Sequence, residues 1–212
     1  PALVYPIGAI PITEEQCKHV LGPALQALLP KLGFSSTLAR DLVHAPSRYG
    51  GPGLSNLYTY AGNARINMFI GHLRKQDATA DILKISLGCC QQELGIGNKF
   101  LTRRYHKYGW LLQNCWLKEL WVFLDKIGGT LDILNDWEQE NREGDIFLMN
   151  VVHDLQLSPD KIRIFNMCRL HKKVTFISEI LNHELHDIDN FVFHPETQFE
   201  TEERFPKMVI PH

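Results

Sequence analysis

Residues 47–75 read SRYGGPGLSNLYTYAGNARINMFIGHLRK, a glycine-proline turn running straight into a long stretch with apolar residues at helical spacing. Gly50, Gly51 and Gly53 permit positive φ and Pro52 stiffens the turn, so the first part reads as a structural loop. Ser55 offers an N-cap, and Tyr58, Ala61, Ile66, Phe69, Ile70 and Leu73 recur at the 3.6-residue period, so a helix is predicted to run to about Lys75. The same grammar repeats on either side. Thr13 and Gln16 have capping-box spacing ahead of Val20, Leu21, Ala24, Leu25 and Leu28. Pro23 predicts two short helices or one sharp kink there, ending near Gly33, because proline removes an amide donor and crowds the preceding turn.

Asp77 caps a further helix with Ile82, Leu83, Leu87, Cys90 and Leu94 on one face, stopped by Gly95 and Gly97. Residues 114–127 place Leu117, Leu120, Trp121 and Leu124 at helical spacing before Gly128 and Gly129. TLDIL, 130–134, reads as a short strand. Residues 143–155 and 158–172 read as a helical pair, the second opened by Ser158 and Pro159. VTFISEIL, 174–181, is ambiguous, since its β-branched front favours strand and Ser178 onward favours helix. The opening PALVYPIGAIP is expected to be extended. The fold class is therefore mainly α, a multi-helix orthogonal bundle with at most one or two short strands. Three parts are expected: a helical subdomain over 1–97, a second over 98–190, and a loosely ordered acidic tail over 191–212.

The chain has 212 residues, 44% apolar and 22% charged, the composition of an ordinary globular protein with a core to bury. No run approaches the roughly 18 apolar residues of a membrane span, so no membrane partner is expected. Five scattered cysteines, Cys17, Cys89, Cys90, Cys115 and Cys168, do not make a disulfide framework and point to a reducing, intracellular compartment, cytoplasmic or nuclear.

The formal net charge of −2 conceals segregation along the chain. No carboxylate lies between Asp41 and Asp77, where Arg48, Arg65, Arg74 and Lys75 occur, nor between Glu93 and Glu119, where Lys99, Arg103, Arg104, Lys107 and Lys118 occur. A third acid-free tract after Asp160 carries Lys161, Arg163, Arg169, Lys172 and Lys173. A basic face and an acidic one can thus coexist at near-zero net charge. In KFLTRRYHKYGW, 99–110, cations alternate with Phe100, Tyr105, Tyr108 and Trp110. That pattern suits phosphate and base contacts, or else a solvated basic loop whose rings sit in the core.

Other chemistries find less support. GGPG lacks the Gly-Lys-Ser/Thr ending of a phosphate-binding loop and no strand clearly precedes it, although Arg48 and Tyr49 leave room for contact with an anion at a helix start. Cys168 with His171, and His183 with His186, have the spacing of two halves of a zinc site, but a small thiol on an amphipathic helix needs no metal. Cys89 and Cys90, being adjacent, cannot both face one site from a helix, so at least one belongs to the core. No motif calls for a cofactor.

LGPALQALLPKLGF (21–34), APSRYGGPGLSNLYTYAG (45–62) and FIGHLRK (69–75), followed by WLKELWVFLDKIGGTLDI (116–133) and NMCRLHKKVTFISEI (166–180), resemble the segment after the palm domain in reverse-transcriptase-like proteins of non-LTR retrotransposons. The likeness covers about residues 1–182 and lies in order and texture. Its sharpest element is the glycine loop, usually Gly-Gly-Leu-Gly-Leu, in which this chain has Pro52 at the third position; Arg48, Gly50, Gly51, Gly53 and Leu54 match in place. The resemblance implies a thumb and connecting region that holds an RNA or DNA duplex by its backbone, beside an upstream palm domain of the same polypeptide. No aromatic-x-Asp-Asp and no adjacent aspartates occur, so the metal pair of phosphoryl transfer has no ligands here and no catalytic residue is expected. The expected nucleic-acid contacts are Arg48, Tyr49, Arg74, Lys75, Arg103, Arg104, Lys107, Arg169, Lys172 and Lys173. The alternatives are a helical protein-interaction module and a small zinc protein or enzyme built on Cys168, His171, His183 and His186.

Overall fold

A computed structural model describes residues 4–97, 99–133 and 144–181. Among them the chain forms nine α-helices and no strand, the mainly α multi-helix fold expected. Two compact units divide between Glu140 and Asn141. The break anticipated at 97/98 falls inside the first unit, where α7 packs on α4 and α5 across it. The acidic tail lies outside the described residues.

In the first unit the opening segment is a helix, α1 (Val4–Ala9), and not an extended piece. Pro6 stands in its first turn, where a missing amide hydrogen leaves no intrahelical bond unmade. Gly8 lies against Ala64, and its carbonyl accepts Trp116 Nε1 at 2.7 Å. Helix α2 (Glu14–Lys31) opens on the predicted box, Thr13 Oγ1 accepting from Gln16 N at 3.2 Å and Gln16 Oε1 from Thr13 N at 2.9 Å. It runs unbroken through Pro23, which faces solvent, as does His19, whose carbonyl the proline deprives of a donor. Its buried side is Cys17, Leu25 and Leu29; Val20, at 60% exposure, and Leu28 point outward, so the expected stripe is rotated by about one residue. Leu25 and Leu29 meet Val43 of the short α3 (Arg40–His44) in a small core that also takes in Leu54 of the glycine loop.

Helix α4 (Leu57–Lys75) is the spine of the unit. Its cap is Asn56 and not Ser55: the Asn56 side chain accepts from Tyr58 N at 2.9 Å and Thr59 N at 3.2 Å. Tyr58, Ala61 and Phe69 are buried as expected, while Ile66, Ile70 and Leu73 are half-buried. Helix α5 (Ala78–Leu94) is capped by Asp77 and ends at Gly95 with φ 64°, and Leu83, Leu87, Cys90 and Leu94 face inward. A four-residue α6 (Tyr105–Tyr108) leads to α7 (Trp116–Ile127), whose Leu117, Leu120, Trp121, Phe123 and Leu124 are all buried. A Cβ at Gly62 would fall within the Phe123 ring, so α4 and α7 meet at backbone distance, with Tyr58 edge-on to Phe123 on one side and Phe69 beside Trp116 on the other. Residues 131–133 of the supposed strand form none; Leu131 N donates to Leu101 O at 3.4 Å.

In the second unit α8 (Leu148–Asp154) is shorter than predicted and α9 (Pro159–Lys172) starts at Pro159 as read. The ambiguous 174–181 segment forms neither a strand nor an α-helix. Phe176 makes an isolated antiparallel bridge to Phe147, and residues Ile177–Glu179 then form a 3₁₀ turn. Asp145 holds that turn by accepting from the backbone and hydroxyl of Ser178.

Candidate nucleic-acid interface

The glycine loop is a fold-back elbow. Ser47–Tyr49 make a 3₁₀ turn closed by Tyr49 N donating to Pro46 O at 2.9 Å and Gly50 N to Ser47 O at 3.0 Å, with Gly50 at φ 81°. The chain then doubles back, Gly53 N donating to Ala45 O at 3.0 Å and Leu54 N to Val43 O at 3.2 Å. A Cβ at Gly51 would overlap the Ala45 carbonyl, and Gly53 sits at φ 66°. The amides of Gly50, Gly53 and Leu54 are therefore consumed by the turn and do not form a phosphate cradle. What the elbow does is push Arg48 and Tyr49 outward: Tyr49 is 73% exposed and the Arg48 guanidinium stacks 4.8 Å over its ring.

Segment 99–110 divides its residues cleanly. Its rings belong largely to the core: Phe100 and Tyr105 meet Trp121 edge-on at 5.2 and 5.4 Å, and Tyr108 is buried. Phe100 and Tyr105, packed on Trp121, and the buried Tyr108 are therefore not a stacking platform for bases. The backbone is pinned as well, Arg103 O accepting Trp121 Nε1 at 2.8 Å and Lys107 O accepting Trp110 Nε1 at 3.2 Å. Its cations are spread over this floor. The Arg103 guanidinium lies 5.6 Å and the Lys107 ammonium 5.1 Å from the centre of the same Tyr108 ring, and Arg103 NH1 donates to the Tyr108 hydroxyl at 3.4 Å. Two cations are thus held against one aromatic ring. Arg104 is exposed and stands 3.9 Å from Asp125, which also accepts Tyr105 N.

Arg74 and Lys75 are exposed on the last turn of α4, where its dipole favours cations. Arg74 lines a cleft of about 420 Å³ with Lys84 and Asp132, and Asp132 pairs with Lys99 at 3.2 Å. Here two of the acid-free tracts meet. Arg48 is at the other end: the elbow enters the start of α4, and 19 helical residues separate that end from Arg74 by roughly 28 Å at 1.5 Å per residue. The cations of the elbow and of the end of α4 are thus far apart and do not form one cluster.

Two arginines counted among the basic tracts are withdrawn from the surface. Arg65 is fully buried between α1, α4 and α7; its NH2 donates to Ile10 O at 3.0 Å and Ile12 O at 2.7 Å, while Nε and NH1 find no hydrogen-bond partner. Burial pulls its guanidinium down, opposed by the half-buried Glu119, whose own carboxyl burial pushes up. Its place on the α4 stripe, four residues from both Ala61 and Phe69, is the signal that marks it as interior. In the second unit Arg169 is 4% exposed, Nε and NH2 donating to Asn166 Oδ1 at 2.9 and 2.8 Å and NH1 to Val174 O at 3.4 Å. Burial draws it down to about 10, so it stays charged, but it ties the end of α9 together and is not presented to a phosphate. Lys172 and Lys173 are exposed beyond it, Lys173 closing the helix at φ 57°.

Cys168 is half-buried, its thiol raised by burial, and His171 is exposed; His183 and His186 lie outside the described residues. Among the described residues no three potential metal ligands gather and no helix is long and apolar enough to cross a membrane. No protein-family model, curated protein or solved structure matches the chain.

Proposed function

We propose that the chain is a post-palm, thumb-like segment of a retroelement reverse transcriptase, working inside the cell, which holds an RNA or DNA duplex by its phosphates. The observation that carries this reading is the Tyr108 ring with Arg103 and Lys107 on it and Arg104 exposed alongside. Cations held at fixed positions over an aromatic floor lose little side-chain freedom on meeting a phosphate, which favours backbone binding without base readout. Arg48 on the elbow and Arg74 with Lys75 at the far end of α4 are further exposed cations of the same unit that a sugar-phosphate backbone could meet. Lys172 and Lys173 give the second unit a cationic helix end of its own.

The test is fluorescence anisotropy of the full chain with a labelled RNA–DNA hybrid across a salt series. Replacing Arg103 and Arg104 by Gln is expected to weaken binding alike for all sequences and to lower the log–log salt slope by roughly 0.7 to 0.9 per lost contact. An unchanged affinity and slope remove these residues from the interface.

A protein-interaction module is the second reading, and α2 favours it: Val20, Leu28 and Leu32 leave apolar surface uncovered. A stable protein complex together with no salt-sensitive affinity for nucleic acid would establish it in place of the first.

A further inference from the structure

Two thiols from separate helices of the first unit face each other and take no part in the proposed grip. Cys90, 5% exposed on the inner side of α5, and Cys115, half-buried just before α7, place their Sγ atoms 4.0 Å apart. Neighbours on a helix are about 100° apart around its axis, and Cys89 accordingly turns out to solvent. Cys115 has the extended backbone of an N-cap, φ −148° and ψ 170°, and its sulfur accepts from Lys118 N at 3.4 Å. The neighbouring Cys90 sulfur, then the amides of Lys118 and Leu117, hold the Cys115 thiol below its ordinary range against burial and the Glu93 carboxylate, while the Cys90 thiol is raised by its contact with Cys115 and by burial. Cys90 and Cys115 both line a cleft of about 520 Å³ with Ile82, Ile85, Met68 and Glu93, and the half-buried Cys115 is the one more open to a small solute.

We propose that Cys115 is a peroxide-reactive thiolate and Cys90 its resolving thiol, so that a hydroperoxide oxidant joins α5 to the start of α7 by a disulfide. The Cys115 sulfur attacks a peroxide oxygen, the O–O bond breaks, and the leaving oxygen takes a proton to depart as water or alcohol, leaving a sulfenic acid. Cys90 then gives up its proton and attacks that sulfur; the S–S bond forms, the S–O bond breaks, and the hydroxyl leaves with the proton as water. Two thiols and one hydrogen peroxide become one disulfide and two waters. The sulfurs have to close by about 2 Å to reach bonding distance, within the reach of side-chain rotation. The bridge encloses the segment with Arg103, Arg104 and Lys107, yet its chemistry is read from sulfur alone and stands whether or not that segment binds phosphate.

The experiment treats the reduced full chain with one equivalent of hydrogen peroxide at pH 7 and maps the products by peptide mass spectrometry. A Cys90–Cys115 disulfide is expected, with Cys115 alkylated by maleimide about tenfold faster than Cys89 although Cys89 is the more exposed. Cys115→Ser keeps a cap, since a serine hydroxyl accepts from the same amide, and is expected to abolish the crosslink; Cys90→Ala is expected to stop at a sulfenic acid that dimedone traps on Cys115. A crosslink through Cys89, no crosslink in the wild-type chain, or a Cys115 rate no higher than that of Cys89 overturns the proposal.

Discussion

TRRYHK at 102–107 and RLHKK at 169–173 are alike as text, short basic runs with little to separate them, yet they end in opposite places. In the first, Arg103 and Lys107 rest on a buried tyrosine and Arg104 reaches solvent; in the second, the leading arginine turns inward and only the lysines stay out. The difference lies in what waits beneath. Under 103–107 the interior is aromatic and the carbonyls of Arg103 and Lys107 are each already bonded to an indole, so the guanidinium gains more from a ring. Beneath α9 an amide oxygen, Asn166 Oδ1, and the Val174 carbonyl both accept from the one arginine.

Breaking the second region is expected to have the largest effect. Arg169→Ala leaves those acceptors buried and unpaired and should lower unfolding stability by about 3 kcal/mol, read from urea denaturation of the full chain. Arg169→Met isolates the hydrogen bonds from the packing and should recover only part of the loss. The Arg103 and Arg104 replacements described above should shift stability by no more than about 1 kcal/mol, the worth of the Arg103 contact with Tyr108. A larger loss would make the first region as structural as the second.

Removing the floor is the next test. Tyr108→Leu keeps every charge of the basic segment but takes away the ring that Arg103 and Lys107 both contact, for about 0.5–1 kcal/mol per cation. Nucleic-acid affinity should fall severalfold by anisotropy while the salt slope holds, since no cation is lost.

The smallest effect is in pH. Hydrogen bonds from Lys126 and Lys18 lower the Glu14 carboxyl, and one from His72 lowers that of Asp77. A carboxyl whose folded value lies below its unfolded one, about 4, binds its proton more weakly when folded. Its contribution is therefore complete above that pH and lost as pH falls below it. Glu119, raised by burial, works in the opposite sense. Glu14→Gln and Asp77→Asn should each flatten the acid limb of a pH-dependent denaturation curve.

The parts of this architecture legible from sequence are those decided within one turn of chain. The Thr13–Gln16 box, the Asp77 cap, the Gly95 and Gly128 stops and the proline at the head of α9 all stand where local chemistry puts them. Facing was harder. The side of α2 that is buried was set by α3 and the elbow, and Pro23 stayed inside the helix because its ring and the orphaned carbonyl both face water. Of the interface, the structural role of the glycine loop could be read from its composition. The burial of Arg65 was signalled by its place on the α4 stripe, but the acceptors of Arg65 and Arg169, carbonyls of Ile10, Ile12 and Val174, were not, since charge patterning carries no record of where carbonyls go. Nor was the Cys90–Cys115 pair, whose members are 25 residues apart.

The missing side chain at residue 62 sets the gauge of the first unit. Because Phe123 rests on bare backbone there, the two helices have no slack through which to slide, and a load applied near Asp125 is passed along the pair to the Trp116 end. Amides in the middle turns of both helices should be the last in this unit to exchange with deuterium, and drift of the sequence over generations is freer to lengthen its loops than to thicken that one position.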